Sequence, residues 1–155
     1  MLSVTLYDWL LFGHVLAAMV WVGGALLLSL LAWQALRSAD EHAVGRFVVN
    51  LRVIGPRVFA PAVVLLLAFG IGMVADSSAW DFGQTWLQVG VGLFAAAFLV
   101  GVVLLSQTAV RAERAVARDD RPAAVRALRL WCRAYTSVLV LLVAATWVMV
   151  AKPGL

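Results

Sequence analysis

The chain has 155 residues, of which 65% are hydrophobic and only 13% are charged. Soluble globular domains carry roughly 25% charged residues, so this composition excludes a soluble domain and indicates a membrane protein. The net charge of +4 does not indicate nucleic-acid binding, because the positive residues are concentrated in two short segments between apolar runs. The single cysteine, Cys132, excludes an intramolecular disulfide and a cysteine-based zinc site.

Four apolar runs are each long enough to cross a bilayer as a helix, and they predict four transmembrane spans in a single integral membrane domain. In chain order, the spans cover about residues 7–33, 57–75, 86–105 and 134–151. The runs lack the alternation of β-barrel strands, and the first run is too long for the core of a cleaved signal peptide. The sequence therefore predicts an all-α fold, a transmembrane four-helix bundle.

The arginines predict how the bundle is oriented. The first connecting segment carries four arginines and the third carries seven, whereas the second carries none. Short loops rich in Lys and Arg stay in the cytoplasm, so we predict basic cytoplasmic loops and both termini outside. The expected location is the bacterial inner membrane.

The connections contain helix signals of their own. The stretch "VRAERAVARDDRPAAVRALRLWCRAY" is rich in Ala, Arg and Leu, which predicts helical extensions after the third span and before the fourth. Residues 119–122 interrupt it with an acidic N-cap and a proline in the first turn of the next helix. Its arginine face suits anionic lipid head groups or a partner protein, or else only fixes the topology. Before the second span, Pro56 predicts the first turn of a helix, and Pro61 predicts unpaired carbonyls or a bend. The stretch is interpreted as an entry device for the second helix or as part of a site.

Small residues on the third span predict close helix packing. Gly92 with Ala96, and Ala97 with Gly101, form two pairs of small residues four positions apart. Such pairs let the backbones of neighbouring helices approach each other. We therefore expect both pairs to face a neighbouring helix.

The first span contains a histidine within its apolar run, in "HVLAAMVWVGGALL". Trp21 lies seven residues after His14, about 20° away around the helix, and small residues including Gly24 lie on or beside this face. The face suits a flat macrocycle with His14 as the metal ligand, and it equally suits a closely packed neighbouring helix. Under the second interpretation, Gln88 or Thr146 is the expected hydrogen-bond partner of His14.

Three stretches resemble known membrane families. "HVLAAMVWVGG" resembles the first helix of the HemJ-type protoporphyrinogen oxidases and is similar to the CopD-like membrane domains, and "VLVLLVAATWVMVAKPGL" resembles the HemJ ending. "RFVVNLRVIGPRVFAPAVVLLLAFGIGMV" looks most like an uncharacterised bacterial family of four-helix integral membrane proteins allied to these. The resemblance implies a b-type haem held by His14, with Lys152 as a second functional position. The alternative for Lys152 is an anchor at the membrane interface. Trp21 and Gly24 complete the predicted haem site.

The chain also departs from the HemJ pattern. It has "CRAYTSVLV" where HemJ proteins carry an Asn-Glu pair, and "LLAWQALRSAD" where they carry a second histidine. The resemblance therefore implies haem binding and electron transfer, with a porphyrin or quinone as partner, more than it implies oxidase activity. The similarity to CopD implies instead copper transport or an accessory role, and copper(I) would favour Met and Cys ligands. A third hypothesis is a cofactor-free structural subunit of a membrane complex.

Two further expectations concern the surroundings of His14. Four short helices bury a histidine site poorly, so a homodimer is expected. Arg52 and Arg57 are predicted not to contact haem propionates, because Arg57 begins the second span about 18 Å away from the depth of His14. Contact with lipid phosphates is the role expected for these two arginines.

Overall fold

A computed structural model describes residues 4–154 as four long helices joined by short connections. The helices are α1 (Leu6–Arg37), α2 (Ala43–Asp76), α3 (Thr85–Ala117) and α4 (Arg121–Ala151), and these residues include no strand. Each helix has 31 to 34 residues, which corresponds to roughly 46–51 Å, against about 30 Å for the hydrocarbon core. The predicted all-α four-helix fold is confirmed, and each helix is long enough to extend beyond the lipid.

The helices begin at local sequence signals. α1 follows Thr5, whose hydroxyl accepts a hydrogen bond from the N–H of Asp8, while the Asp8 carboxylate accepts one from the N–H of Thr5. α4 follows Asp120, whose carboxylate accepts a hydrogen bond from the N–H of Ala123, and Pro122 lies in the first turn. The predicted acidic cap is confirmed. So are the helical extensions, since α3 and α4 continue well past the predicted third and fourth spans.

The predicted start of the second helix is wrong. α2 begins at Ala43, and both Pro56 and Pro61 lie inside it. A proline lacks an N–H group and its ring collides with the preceding turn, which normally breaks an α-helix. Here Gly55–Phe59 form a π-helical turn that contains Pro56, and Pro61 lies in the first turn of the α-helical segment that follows. α3 contains a second π-helical turn at Gly101–Leu105.

Helix neighbours differ between the two ends of the bundle. α1 packs against α2 and α4, and α4 packs against α3. No Cα atom of Ala60–Asp76 lies within 8 Å of a Cα atom of Thr85–Val100, so α2 and α3 are separated in this half. Their backbones come close in the other half, where Ala43–Ile54 runs beside Ser106–Ala117.

All eleven arginines lie toward one end of the bundle, which we call the basic end. Phe47 of α2 meets Trp131 of α4 there with the rings edge to face and 5.7 Å between centroids, and Trp131 lies 4.5 Å from Tyr135. Three ion pairs lie on the surface of this end, namely Arg46–Asp40, Arg52–Glu113 and Arg121–Glu41. The opposite end, called the far end, contains Lys152 and the connection between α2 and α3.

Apolar side chains cover much of the lateral surface of the bundle. Exposed examples on the four helices are Leu16, Leu27, Val64, Leu99 and Val140. Apolar surface of this extent is unfavourable in water and matches the hydrocarbon of a bilayer, where helices also satisfy their own backbone hydrogen bonds. The lipid bilayer is therefore the environment of the helices. The orientation of the two ends relative to the cytoplasm stays a prediction.

Candidate functional site

His14 lies on the inward face of α1, in a row with Tyr7 and Trp21 at seven-residue spacing. Its Nδ1 lies 2.9 Å from the carbonyl oxygen of Leu66 on α2. A carbonyl oxygen only accepts, so this hydrogen bond assigns the imidazole proton to Nδ1 and leaves a lone pair on Nε2. Gly70 makes room for the ring, because a Cβ atom there would lie 3.2 Å from Nδ1 and from Cε1.

The second ring nitrogen of His14 is free. Within residues 4–154, Nε2 has no hydrogen-bond partner, and no fully buried side-chain nitrogen or oxygen lacks one. Nε2 is therefore not fully buried and keeps some exposed surface, which agrees with the half-buried state of His14. The imidazole is fixed at one nitrogen and open at the other.

The predicted hydrogen-bond partners of His14 are wrong. Gln88 donates to the carbonyl of Phe82 in the preceding connection, and Thr146 donates to the carbonyl of Leu142 within its own helix. The actual partner is a backbone carbonyl, which a residue-type search cannot identify. The sequence does contain one signal for it, because a glycine on the neighbouring span permits the close approach that this hydrogen bond requires.

The trough of small residues on α1 is filled by α2. A Cβ atom on Gly24 would lie 2.8 Å from the ring of Phe59, and one on Gly13 would lie 2.7 Å from the ring of Phe69. Both glycines therefore accept a phenylalanine ring where any side chain would collide with it. The small residues of this face serve helix packing, as one of the two interpretations of the sequence expected.

Trp21 is buried in the same packing. It is 6% exposed, and its ring meets that of Phe94 on α3 edge to face, with 5.6 Å between centroids. Trp21 is thus enclosed by neighbouring helices, and the ring of Phe59 occupies the space beside Gly24. The structure thus separates His14, which keeps an open nitrogen, from the other two predicted members of its site.

Lys152 lies at the far end on a platform of two tryptophans. Its Nζ is 3.8 Å from the ring centroid of Trp80 and 5.6 Å from that of Trp86, within the range of cation–π attraction. The Trp80 indole N–H donates to the hydroxyl of Tyr7 at 3.2 Å, and Tyr7 precedes His14 by about 10 Å of helical rise. Lys152 and His14 therefore lie in the same half of the bundle.

The sulfur-containing side chains that could bind copper(I) lie apart from one another. Met19 is exposed on α1, Met149 packs at Gly90, and Cys132 is half-buried toward the basic end. In the part of the chain that the structure describes, no three residues of the His, Cys, Asp and Glu types come together as a metal-binding group.

The contact between α3 and α4 differs from the one that the sequence predicts. A Cβ atom on Gly90 would collide with Cε of Met149, so this glycine lies at the interface. Gly92 and Gly101 have open space at their Cβ positions. The expectation that both predicted pairs face a neighbouring helix is wrong, because the glycine in each pair faces away from one.

Four apolar helices with a polar basic end define an all-α integral membrane protein. Residues 8–153 match the model of the family described as predicted integral membrane protein (DUF2269), and the chain belongs to this family. No curated protein and no solved structure matches the chain. The family description names a membrane location and no activity, so the function has to be argued from the site.

Proposed function

We propose that His14 is an axial ligand of a b-type haem and that this haem-binding membrane protein transfers electrons. The state of the imidazole carries the proposal, since Nδ1 donates to the carbonyl of Leu66 and Nε2 is unpaired and accessible. Histidines that bind metals are commonly oriented in this way, by donation from the nitrogen that does not bind the metal. An imidazole is also a common axial ligand of haem iron.

The bilayer adds a second argument. An ionisable residue inside a membrane is costly and marks a function by default, and an unpaired polar atom finds no water in the hydrocarbon core. Nε2 of His14 is such an atom, and iron coordination would satisfy it. A bound haem supplies one-electron transfer chemistry, which would serve a porphyrin or quinone partner.

The residues of the predicted haem site differ in how well they fit this group. His14 fits as a ligand, and the ammonium group of Lys152 fits the negative charge of a propionate. Trp21 and Gly24 do not fit, because aromatic rings of α2 and α3 already cover them. Arg52 pairs with Glu113 at the basic end, with 2.8 Å between Nη1 and Oε1, so its charge is engaged away from His14.

Absorption spectra of the detergent-purified protein from haem-replete cells, oxidised and reduced, test the proposal. We expect a Soret band in the wild type and its loss in His14→Ala, with an unchanged elution volume. His42→Ala is the matched control and should keep the band, because His42 is exposed at the basic end. A colourless wild type, or a haem retained in His14→Ala, would make His14 a packing residue of a cofactor-free subunit.

A further inference from the structure

The imidazole of His14 faces the interior of the bundle and yet keeps an exposed nitrogen, so a path leads to it from outside. α1 closes against α2, where glycines accept phenylalanine rings, and it also packs along α4. α3 closes against α4 at Gly90 and Met149. A buried cluster that includes Trp86 and Val148 fills the interior at the far end, and the main core fills it toward the basic end. Among residues 4–154, the side between α2 and α3 is left as the path.

α2 and α3 diverge at two π-helical turns. Gly55–Phe59 of α2 and Gly101–Leu105 of α3 lie between the parts that run side by side at the basic end and the parts whose Cα atoms all stay more than 8 Å apart. A π-helical turn changes the direction of a helix. Toward the far end, Val74 of α2 packs against the cluster of Trp86. The separation is therefore a bounded gap in the lipid-facing half, which we call the lateral gap.

His14 lies at the level of the lateral gap. On one side, its Nδ1 contacts a carbonyl oxygen in the separated part of α2. On the other side, Tyr7 contacts Trp80 and Trp21 contacts Phe94, and in both pairs the second residue follows the first by 73 positions. By this register, His14 is level with about residue 87 of α3, which also belongs to the separated part.

Two exposed apolar side chains border the lateral gap at this level. Leu67 lies seven residues before Val74 on α2, and Val91 lies four residues after Leu87 on α3. Each therefore shares a helix face with a member of the cluster that joins the two helices at the far end. Leu67 and Val91 are 44% and 46% exposed. The border of the gap is thus apolar and open to lipid.

We propose that haem reaches His14 from the hydrocarbon of the bilayer, sideways through the lateral gap. The inference rests on the proposed function, in which Nε2 of His14 binds the iron. A ligand that enters at this depth, between apolar side chains, has to be dissolved in the lipid, because no water is present there. The porphyrin ring of haem is flat and largely apolar, so it can enter edge first between two helices while its propionates stay turned toward the polar far end.

The rate of haem uptake tests this route. Full-length protein from haem-deficient cells is placed in phosphatidylcholine liposomes, haemin is added, and growth of the Soret band is followed by stopped-flow absorption. Val91→Trp places an indole ring in the lateral gap, and we expect uptake to slow by about tenfold, because a bulky ring in a confined space is costly to displace. Leu67→Trp, on the opposite border, should slow uptake as well. The final height of the band should equal that of the wild type in both variants, since His14 is intact.

Val89→Trp is the matched control on the same helix. Val89 is 44% exposed and points about 160° away from Val91 around the helix, so its uptake rate should stay within about twofold of the wild type. A wild type that takes up no haem overturns the proposed function and, with it, the entry of haem. If the wild type takes up haem but neither gap variant slows the uptake, or Val89→Trp slows it equally, the lateral route alone is overturned.

Discussion

The two halves of the bundle share one buried core and differ in what supplements it. From the middle of α1 to the half that contains His14, Gly24 and Gly13 accept the rings of Phe59 and Phe69 of α2. The core of alanines, leucines and aromatic rings runs through both halves, and at the basic end ion pairs lie on its surface. Moving an apolar side chain from lipid to protein brings little gain, so helices in a membrane associate through close backbone approach. In water, removing apolar surface is itself the driving force.

The two halves also treat polar groups differently. At the basic end, charged side chains face outward and the buried side chains are almost all apolar. In the other half, an imidazole faces inward and is held by a backbone carbonyl. A polar group inside the lipid-facing half needs a specific partner, whereas one at the basic end can turn to water. This difference is why the candidate site lies among the lipid-facing helices and the ion pairs lie at the basic end.

The largest expected effect tests the core of the basic end. Trp131→Ala should lower the free energy of unfolding by about 3–5 kcal/mol, because it removes a ring that is 3% exposed and contacts Phe47 and Tyr135. Trp147→Ala is the matched control on the same helix and should cost less than about 1 kcal/mol, because Trp147 is 63% exposed. Denaturation in detergent followed by circular dichroism measures both. Equal destabilisation by the two substitutions would contradict a buried apolar core around Trp131 at this end.

The next effect tests the glycine packing of the other half. Gly24→Val should destabilise by about 1–3 kcal/mol, because its side chain would overlap the ring of Phe59. Gly23→Val is the neighbouring control, since nothing lies within 4 Å of a Cβ atom at Gly23. Phe59→Ala should restore part of the stability lost in Gly24→Val. If both glycine substitutions shift the thermal midpoint in detergent equally, close approach at Gly24 is not what joins the helices.

The sequence was sufficient to predict the elements that depend on local signals. Run lengths predicted four helices, and the acidic cap at Asp120 predicted where α4 begins. The start of α2 was missed because Pro56 is a helix breaker in isolation, and only a π-helical turn allows the helix to continue through it. Which glycines of α3 pack was also missed, since Gly90 and Gly92 are equivalent in sequence and differ only in what faces them.

The candidate site was predictable only in part, for the same reason. His14 stands out because a polar residue inside an apolar run is rare. Its partner is the carbonyl of Leu66, and carbonyls carry no residue signature. The aromatic platform under Lys152 depends on the connection between α2 and α3 folding back over the far end, which periodicity does not predict.

A smaller effect tests the platform at the far end. Lys152→Met keeps the length of the side chain and removes its charge, so it should cost about 0.5–1 kcal/mol of cation–π attraction to Trp80. Lys152→Arg should retain most of the stability. In a Trp80→Leu background, Lys152→Met should cost little more, and this double-mutant cycle isolates the pair. If Lys152→Met costs the same free energy of unfolding in the Trp80→Leu background, the stabilising contact of Lys152 is not the one with Trp80.

The smallest effect lies in the loop between α1 and α2, where water rather than lipid surrounds the charges. The carboxylate of Asp40 accepts hydrogen bonds from the guanidinium of Arg46 and from the N–H of His42. The bond from Arg46, first, and the one from His42 lower the pKa of Asp40 from its ordinary value of 3.8. A lowered pKa in the folded state means that this carboxylate stabilises the fold above pH 3.8, and that the contribution is lost as the pH falls through the lowered value.

Asp40→Asn should therefore be slightly less stable than the wild type near neutral pH, and the difference should vanish in acid below the lowered pKa of Asp40. Both partners are exposed, so salt should shrink the effect at neutral pH as well. Arg46→Gln should raise the pKa of Asp40 back toward 3.8, because it removes the larger of the two causes. Carbon-13 NMR of labelled aspartate follows this titration directly. An unchanged Asp40 pKa in Arg46→Gln would mean that the backbone N–H of His42 alone holds the carboxylate, and that the ion pair contributes nothing at this end of the bundle.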